Sequence, residues 1–304
     1  MKSPMSARPV LRFAPSPNGE LHLGHALSAL TGAEMARRLG GRFLVRIEDI
    51  DVDRTRPEFV RGIFDDLAWL GIAWEEPVLV QSEHFADYRA AADRLLAMGV
   101  LYPCFATRTE IAAAAKPGVR DPDGAPIYPG LHRGMTQAEV ARRKGRGEPF
   151  ALRLDMAKAE ALAQRMLGGQ PLRFTELDAA LAPTDIAAEP ARWGDAVIVR
   201  KDVPASYHLA VVVDDARQGI THVTRGRDLL AATDLHRLLQ VLLDLPAPLY
   251  HHHRLLTDET GRKLAKSDGD TSLRTLRLQG HAPATVRSRV GLATGSPQAH
   301  ARGC

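Results

Sequence analysis

Apolar residues along the first hundred positions switch repeatedly between a continuous run and a helical spacing. Val10 to Ala14 is a short apolar run broken by Pro15 and Pro17, and from Gly24 onward Leu27, Leu30, Ala33, Ala36 and Leu39 recur three or four residues apart, along one face of a helix. The pattern predicts strand, tight loop, helix. Gly40 and Gly41 close that helix, because a left-handed terminal position favours glycine, and "RFLVRIED" follows as a second buried strand. Strand, helix and strand in this order make a βαβ unit with a parallel pair. Pro57 suits a first helical turn, and Phe59, Ile63, Leu67 and Leu70 stripe a second helix that stops at Gly71. "VLVQS" and a helix from Glu83 to Met98 continue the alternation, which predicts an α/β chain with a doubly wound parallel sheet.

After Cys104 the pattern loosens. Thr107 and Glu110 make a capping box, and "KPGVRDPDGAPIYPGLHRG" is rich in proline and glycine and reads as irregular loop. Residues 101–192 are expected to be an inserted α+β subdomain. "DAVIVRKDVPASYHLAVVVDDA" returns to strand composition, with Ala196 to Arg200 and Tyr207 to Val213 expected as two strands around a proline turn. A strand through Thr221 to Thr224, a helix around Leu229 to Leu243, the loop "GRKLAKS" and a short helical tail complete the chain. The expected organisation is a nucleotide-binding first half at 8–100, the insertion at 101–192, a second half at 193–245 and a final segment at 246–304.

Composition narrows the setting. With 304 residues and 45% hydrophobic content the chain can bury a substantial core. The 40 Lys and Arg against 36 Asp and Glu leave a net charge of +4, which permits a polyanionic partner without requiring one. Cys104 and Cys304 are too few for a disulfide framework and suit a reducing cytoplasm. No apolar stretch approaches the roughly 20 residues of a membrane-spanning helix, and "MKSPMSARPVLRF" lacks the apolar segment of a signal peptide. A soluble, cytoplasmic protein with no membrane partner is expected.

Neither G-x-x-x-x-G-K-[ST] nor G-x-G-x-x-G stands at the first strand-to-helix turn, so a nucleotide would be held differently. In "PSPNGELHLGH", Gly19 and Gly24 let backbone approach a ligand closely, and a helix starting at His25 aims its N-terminal amides at a phosphate. The imidazoles of His22 and His25 can donate to phosphate oxygens. Taken alone, the tetrapeptide also describes an ordinary loop with two surface histidines. In "GRKLAKS", Lys263 and Lys266 sit on a glycine-led loop where ammonium groups can neutralise a triphosphate, or simply form a solvated basic loop.

Together, H-x-G-H at the first strand-to-helix turn and K-L-A-K-S after the last sheet segment resemble the two signatures of class I aminoacyl-tRNA synthetases. "RFAPSPNGELHLGH", "RIEDID", "YHLAVVVDD" and "VTRGRDLL" resemble, in order, segments of the glutamyl-tRNA synthetase catalytic domain, over almost the whole chain except the middle insertion. The resemblance implies a Rossmann-like class I synthetase fold whose short helical C-terminal segment is similar to a stem-contact region. It implies a glutamate site of Arg12, Phe13, Ala14, Pro15, Ser16, Glu48, Tyr207 and Arg225, with ATP held by His22, Gly24, His25 and Lys266. His22, His25, Lys263 and Lys266 would then be catalytic. Elementary chemistry agrees: arginine forks bind carboxylates bidentately, so Arg12 and Arg225 suit the glutamate side chain, while Glu48 suits the α-ammonium.

A full glutamyl-tRNA synthetase continues into a helical anticodon-binding region, whereas this sequence stops soon after Ser267. In that respect the chain resembles a shortened branch of the family. The resemblance implies activation of L-glutamate by ATP with Mg²⁺, without tRNA, and transfer to the queuosine base at the wobble position of tRNA(Asp). Two other readings stay open: a shortened enzyme that charges a tRNA 3′ end, and a synthetase-like binding protein without catalysis.

The resemblance also implies a place for zinc in the insertion, which the family often holds through C-x-C followed by a tyrosine and another cysteine. Here Cys104 and Tyr128 remain, while Ala106 and His132 take the other two places. Alanine supplies no ligand and structural zinc wants four, so no tightly bound zinc is expected; a degenerate site would consist of Cys104, Tyr128 and His132. His251, His252 and His253 do not form a cluster by adjacency, because consecutive strand residues point to alternate faces. The basic run Arg142 to Arg146 reads either as a solvated helix end or as a contact for tRNA phosphates.

Overall fold

The computed structural model describes residues 8–257 and 271–292. The first third alternates as expected: β1 (Val10–Phe13), α1 (Leu23–Arg38), β2 (Arg42–Ile47), α2 (Pro57–Trp69), β3 (Glu75–Val80) and α3 (Phe85–Ala97). Then come β4 (Leu101–Cys104), α4 (Arg108–Ala114), α5 (Gln137–Gly145), β5 (Ala151–Leu154), α6 (Met156–Met166), β6 (Arg173–Leu177), β7 (Pro183–Ala187) and β8 (Val197–Val199). The chain closes with α7 (Tyr207–Arg217), β9 (His222–Gly226), α8 (Ala232–Leu242), β10 (Leu249–His253), α9 (Leu273–Leu278) and α10 (Pro283–Arg289).

Two ladders, β7-β6-β10-β9 and β1-β2-β3, lie side by side, and every pairing in them is parallel except β6 with β7. Their junction is stitched at the start of β1, where the Thr221 N–H donates to the Val10 carbonyl at 2.9 Å and the Val10 N–H donates to Thr221 Oγ1 at 2.8 Å. Seven strands therefore run side by side. Buried side chains of α1, α2, α9 and α10 pack into one core with β1 and β2, and those of α3, α6, α7 and α8 form another, so helices cover the sheet as parallel strands require. Among the described residues no helix is long and apolar enough to cross a membrane.

Three boundaries differ from the sequence reading. Helix α1 begins at Leu23, with His22 as its cap, rather than at His25. Tyr207 to Val213 is not a strand but the first part of α7: Ser206 caps it by accepting from the Leu209 N–H, and Leu209 to Val212 are all buried, so the run shows no period that separates helix from strand. The stretch 101–192 divides between two sheets. β4, β5 and β8 make an antiparallel sheet of their own, while β6 joins β10 and carries β7 to the edge of the main sheet.

Candidate active site

A cavity of about 620 Å³ opens beyond the C-terminal ends of β1, β9 and β10. Connections leave β1 and β9 in opposite directions there, and such a switch point is where open α/β sheets leave a crevice for ligands. Arg12 to Ser16 come from β1 and its following loop, His22, Gly24 and His25 from the start of α1, Glu48 from just after β2, Tyr207 from the start of α7 and Arg225 from β9; all line this one cavity. Lys263 and Lys266 lie outside the described residues.

The histidine turn is built by local hydrogen bonds. The Gly24 N–H donates to His22 Nδ1 at 3.0 Å, and the His22 N–H donates to His25 Nδ1 at 3.1 Å, a reciprocal cap made by two imidazoles whose centroids are 3.9 Å apart. Each Nδ1 is an acceptor, so each neutral ring carries its proton on Nε2. Glycine between them leaves room for the cap, because a Cβ at Gly24 would stand 2.8 Å from His22 Cε1 and push that ring from its place.

One end of the cavity rests on a network of buried charges. Arg12 donates from Nε to Asp215 Oδ1 at 2.9 Å and from Nη2 to Oδ2 at 3.3 Å. Behind it Arg46, with no exposed surface, donates to Asp215 Oδ1 at 2.8 Å and to Glu48 Oε1 at 3.1 Å, and approaches Asp214 at 3.9 Å. Asp214 also accepts from Gln81 at 2.7 Å and from the Tyr88 hydroxyl at 3.0 Å. Burial opposes ionisation of Asp215, but Arg12 and Arg46 outweigh it and hold the carboxyl below its ordinary range. At Glu48 and Asp214 burial prevails over the attraction of Arg46, and both titrate higher than usual. Two guanidiniums and three carboxylates make this end suited to an ammonium group, so Arg12, expected from the sequence to share the glutamate side chain with Arg225, instead has its own charge met by Asp215.

The other end is a cation in a neutral cradle. Arg225, 5% exposed, donates from Nε to His252 Nε2 at 3.1 Å, from Nη1 to His236 Nδ1 at 3.1 Å and the Tyr207 hydroxyl at 3.4 Å, and from Nη2 to Thr233 Oγ1 at 2.7 Å. Among the described residues it has no carboxylate partner. Burial and the neighbouring guanidinium depress His236 well below the usual imidazole range and pull His208 down to about 4. The predicted residues that are described, Arg12 to Ser16, His22, Gly24, His25, Glu48, Tyr207 and Arg225, therefore line one cavity, but Arg46, Asp214, Asp215, Thr233, His236 and His252 support it and are not visible as site residues in the sequence. The available signal was a pair of adjacent aspartates ending a wholly apolar run at Val213. His252 alone of the three consecutive histidines turns to Arg225; His251 meets the Leu177 carbonyl at 2.8 Å and His253 the Arg254 carbonyl at 2.8 Å.

In the insertion, Cys104 Sγ lies 3.3 Å from the Tyr128 hydroxyl, which accepts from the His132 N–H at 2.9 Å. His132 Nδ1 accepts from the Phe105 N–H at 3.1 Å, and the Arg143 guanidinium stands 3.3 Å from Nε2. Both imidazole nitrogens are thus engaged, one against a cation, and Ala106 is buried beside them, so these residues do not fit a zinc ion. Among the described residues no group of three or more His, Cys, Asp or Glu is placed to hold a metal. The arginines of the basic run at the end of α5 are paired within the chain, Arg142 with Glu139 and both Arg143 and Arg146 with Glu148, while Lys144 lies over the Phe150 ring.

Comparison with known proteins agrees with this geometry. Residues 10–302 match the family of class I tRNA synthetases (E and Q), catalytic domain. The chain is 44% identical to a glutamyl-Q tRNA(Asp) synthetase of Rhodobacter capsulatus, over 93% of its own length and 100% of that protein. It is 36% identical to a glutamate–tRNA ligase of Prochlorococcus marinus, over 93% of its length but only 57% of that enzyme. The crystal structure of glutamate-tRNA synthetase from Elizabethkingia anophelis superposes with a TM-score of 0.68 at 28% identity, over 86% of this chain and 53% of that one. The chain thus spans about half the length of that solved enzyme.

Proposed function

The chain belongs to the class I tRNA synthetase family of catalytic domains (E and Q), and from that premise we propose that it activates L-glutamate with ATP, without tRNA, and transfers the glutamyl group to the queuosine base of tRNA(Asp). The observation that carries the reading is the polarity of the cavity. Carboxylates gather around Arg12 and Arg46 at one end, and Arg225 stands, among the described residues, without a carboxylate at the other. An amino acid with its ammonium at the first and a side-chain carboxylate at the second meets opposite charge at both. Glutamine presents an amide to Arg225, loses the charge pairing and turns N–H donors toward N–H donors, which is how such a site rejects it. The family name of the Rhodobacter relative, matched over its full length, supports queuosine as the acceptor over a tRNA 3′ end.

In the first step an oxygen of the glutamate α-carboxylate attacks the α-phosphorus of ATP, the bond to the β-phosphate oxygen breaks, and pyrophosphate leaves. Mg²⁺ bound to ATP would neutralise the phosphates. No covalent nucleophile is needed, so positioning and charge stabilisation do the catalysis. The Nε2–H groups of His22 and His25 are the donors for the phosphate and ribose region, and Lys263 and Lys266 are assigned to the departing pyrophosphate by their sequence motif. In the second step a hydroxyl of the cyclopentenediol ring attacks the carbonyl carbon of glutamyl-adenylate, an ester forms and AMP departs.

The test is transfer of radiolabelled glutamate, with ATP and Mg²⁺, onto tRNA(Asp) with and without queuosine, followed by nuclease digestion. Label on the modified base alone supports the proposal. Label on the terminal adenosine, independent of queuosine, overturns the acceptor, and absence of glutamate-dependent pyrophosphate exchange without RNA overturns the activation step.

A further inference from the structure

Among the described residues Arg225 is buried without a counter-ion, although a carboxylate at any neighbouring position would lower the cost of burying it. Hydrogen-bond direction shows how the chain maintains this. A guanidinium only donates, so His236 Nδ1 and His252 Nε2, each 3.1 Å from it, must both present lone pairs. His236 then bears its proton on Nε2, which faces His208 Nδ1 at 3.2 Å, making His208 the acceptor in turn. On the other side, His252 bears its proton on Nδ1 and donates to Glu176 Oε2 at 2.7 Å. Donation therefore runs outward from Arg225 along two arms, and among the described residues every group touching the guanidinium is neutral: two imidazoles, the Thr233 hydroxyl, the Tyr207 phenol and the face of the Tyr250 ring. The nearest carboxylate on either arm is Glu176, one imidazole removed.

We propose that His236, backed by His208, is a positioning residue that fixes the Arg225 guanidinium at the cavity wall while leaving its charge unbalanced, and so sets the preference for a carboxylate over an amide side chain. The inference deepens the reading given above and rests on glutamate being the amino acid that enters this cavity. A carboxylate at position 236 would hold Arg225 equally well but would supply the charge that the substrate otherwise brings. An apolar residue would leave one guanidinium N–H unpaired and the fork free to swing. The imidazole does neither, because burial beside the cation keeps it uncharged.

The experiment is amino-acid-dependent ATP–pyrophosphate exchange without RNA, with KM for glutamate, KM for ATP and the glutamate-to-glutamine preference measured for the intact protein and for His236→Asn, His236→Leu and His236→Asp, each checked by thermal melting. Asparagine places Oδ1 where Nδ1 stands, and is expected to stay within about threefold of the parent in all three quantities. Leucine is expected to raise KM for glutamate roughly tenfold with KM for ATP nearly unchanged. Aspartate is expected to raise it about a hundredfold and to collapse the preference over glutamine. An aspartate variant with the parent's KM and preference overturns the inference, as do leucine and aspartate variants that weaken ATP as much as glutamate. If the aspartate variant does not fold, the leucine and asparagine variants decide in the same terms. Parent protein without glutamate-dependent exchange overturns the functional reading and this inference together, whereas exchange insensitive to position 236 overturns this inference alone.

Discussion

Arg12 and Arg225 are buried to almost the same degree, 4% and 5% exposed, and line one cavity, yet the chain treats them oppositely. Arg12 forms a two-pronged pair with Asp215, and Arg46 behind it ties the same aspartate to Glu48. Among the described residues Arg225 meets two imidazoles, a hydroxyl, the Tyr207 phenol and the face of the Tyr250 ring, and no carboxylate. The first arginine has its charge answered inside the protein and serves mainly to order the carboxylates around it. The second keeps its charge for whatever enters. Which of two buried arginines reads a ligand is thus decided less by its own position than by whether its neighbours have already neutralised it.

The largest expected effect separates the two by substitution to methionine, which keeps the length and removes the charge. Arg225→Met should lower kcat/KM for glutamate in pyrophosphate exchange by roughly a thousandfold, about 4 kcal/mol, while the ligand-free protein melts close to the parent temperature, because no partner ion is left behind. Arg12→Met should instead destabilise folding by about 3–5 kcal/mol, since Asp215 keeps only Arg46 as a buried counter-charge. Urea unfolding and exchange kinetics on the same two variants check this. Equal destabilisation by both would show that Arg225 has a buried counter-charge after all.

Acid titration of stability distinguishes the same two ends more gently. His208 has an ordinary value of 6.5 and titrates near 4 in the fold, and His236 and His252 are also lowered by burial. Between those values the unfolded chain binds protons that the folded chain refuses, so stability falls as pH drops from about 6.5 toward 4, by up to about 1.4 kcal/mol per pH unit for each histidine. Asp215 is shifted in the same direction, below its ordinary 3.8, so its contribution is fully present above 3.8 and is lost, in a lower pH window than that of the histidines, as the pH falls through the depressed folded value. The double variant His208→Asn with His236→Asn should flatten the first slope and leave the second; Asp215→Asn should alter the second. Unfolding free energies measured from pH 7 to pH 3 would refute the assignment if the double variant kept the parent slope above pH 4.

How much of this was legible in the sequence follows from the distances involved. The turn of His22 and His25 is a four-residue event, and its tetrapeptide marks the site although the cap that the two rings form for α1 is seen only in the fold. The alternation through β1, α1 and β2 is legible because each helix has one solvated face. Helix α7 is not, because its apolar residues are packed against α3 and α8 and lose the polar stripe that defines a period. The charge network is illegible for another reason: Arg12 and Asp215 are 203 residues apart and Arg46 and Asp215 are 169 apart, so nothing local shows that they meet. Arg12, Glu48, Tyr207 and Arg225 were recognised through their motif segments. Their partners Arg46, His236 and Thr233 became visible only when the sheet and α8 brought them together.

The smallest expected effect bears most directly on the contrast between the two ends. Glu176 accepts from the His252 N–H at 2.8 Å and from His252 Nδ1 at 2.7 Å, and it is the carboxylate that follows Arg225 along that arm. If a neutral imidazole insulates the two charges, Glu176→Gln removes an ion while its amide oxygen can still accept from Nδ1, and KM for glutamate should change by less than about threefold. If the pair instead acts as one delocalised ion pair through His252, with the imidazole carrying part of the positive charge, removing the carboxylate strengthens the field that a substrate meets. KM for glutamate would then fall severalfold, and it would fall more at low ionic strength only if the charge were exposed, which a half-buried Glu176 and a buried His252 oppose. Exchange kinetics on Glu176→Gln at two salt concentrations therefore measure how unbalanced the Arg225 charge is, without altering the cradle that holds it.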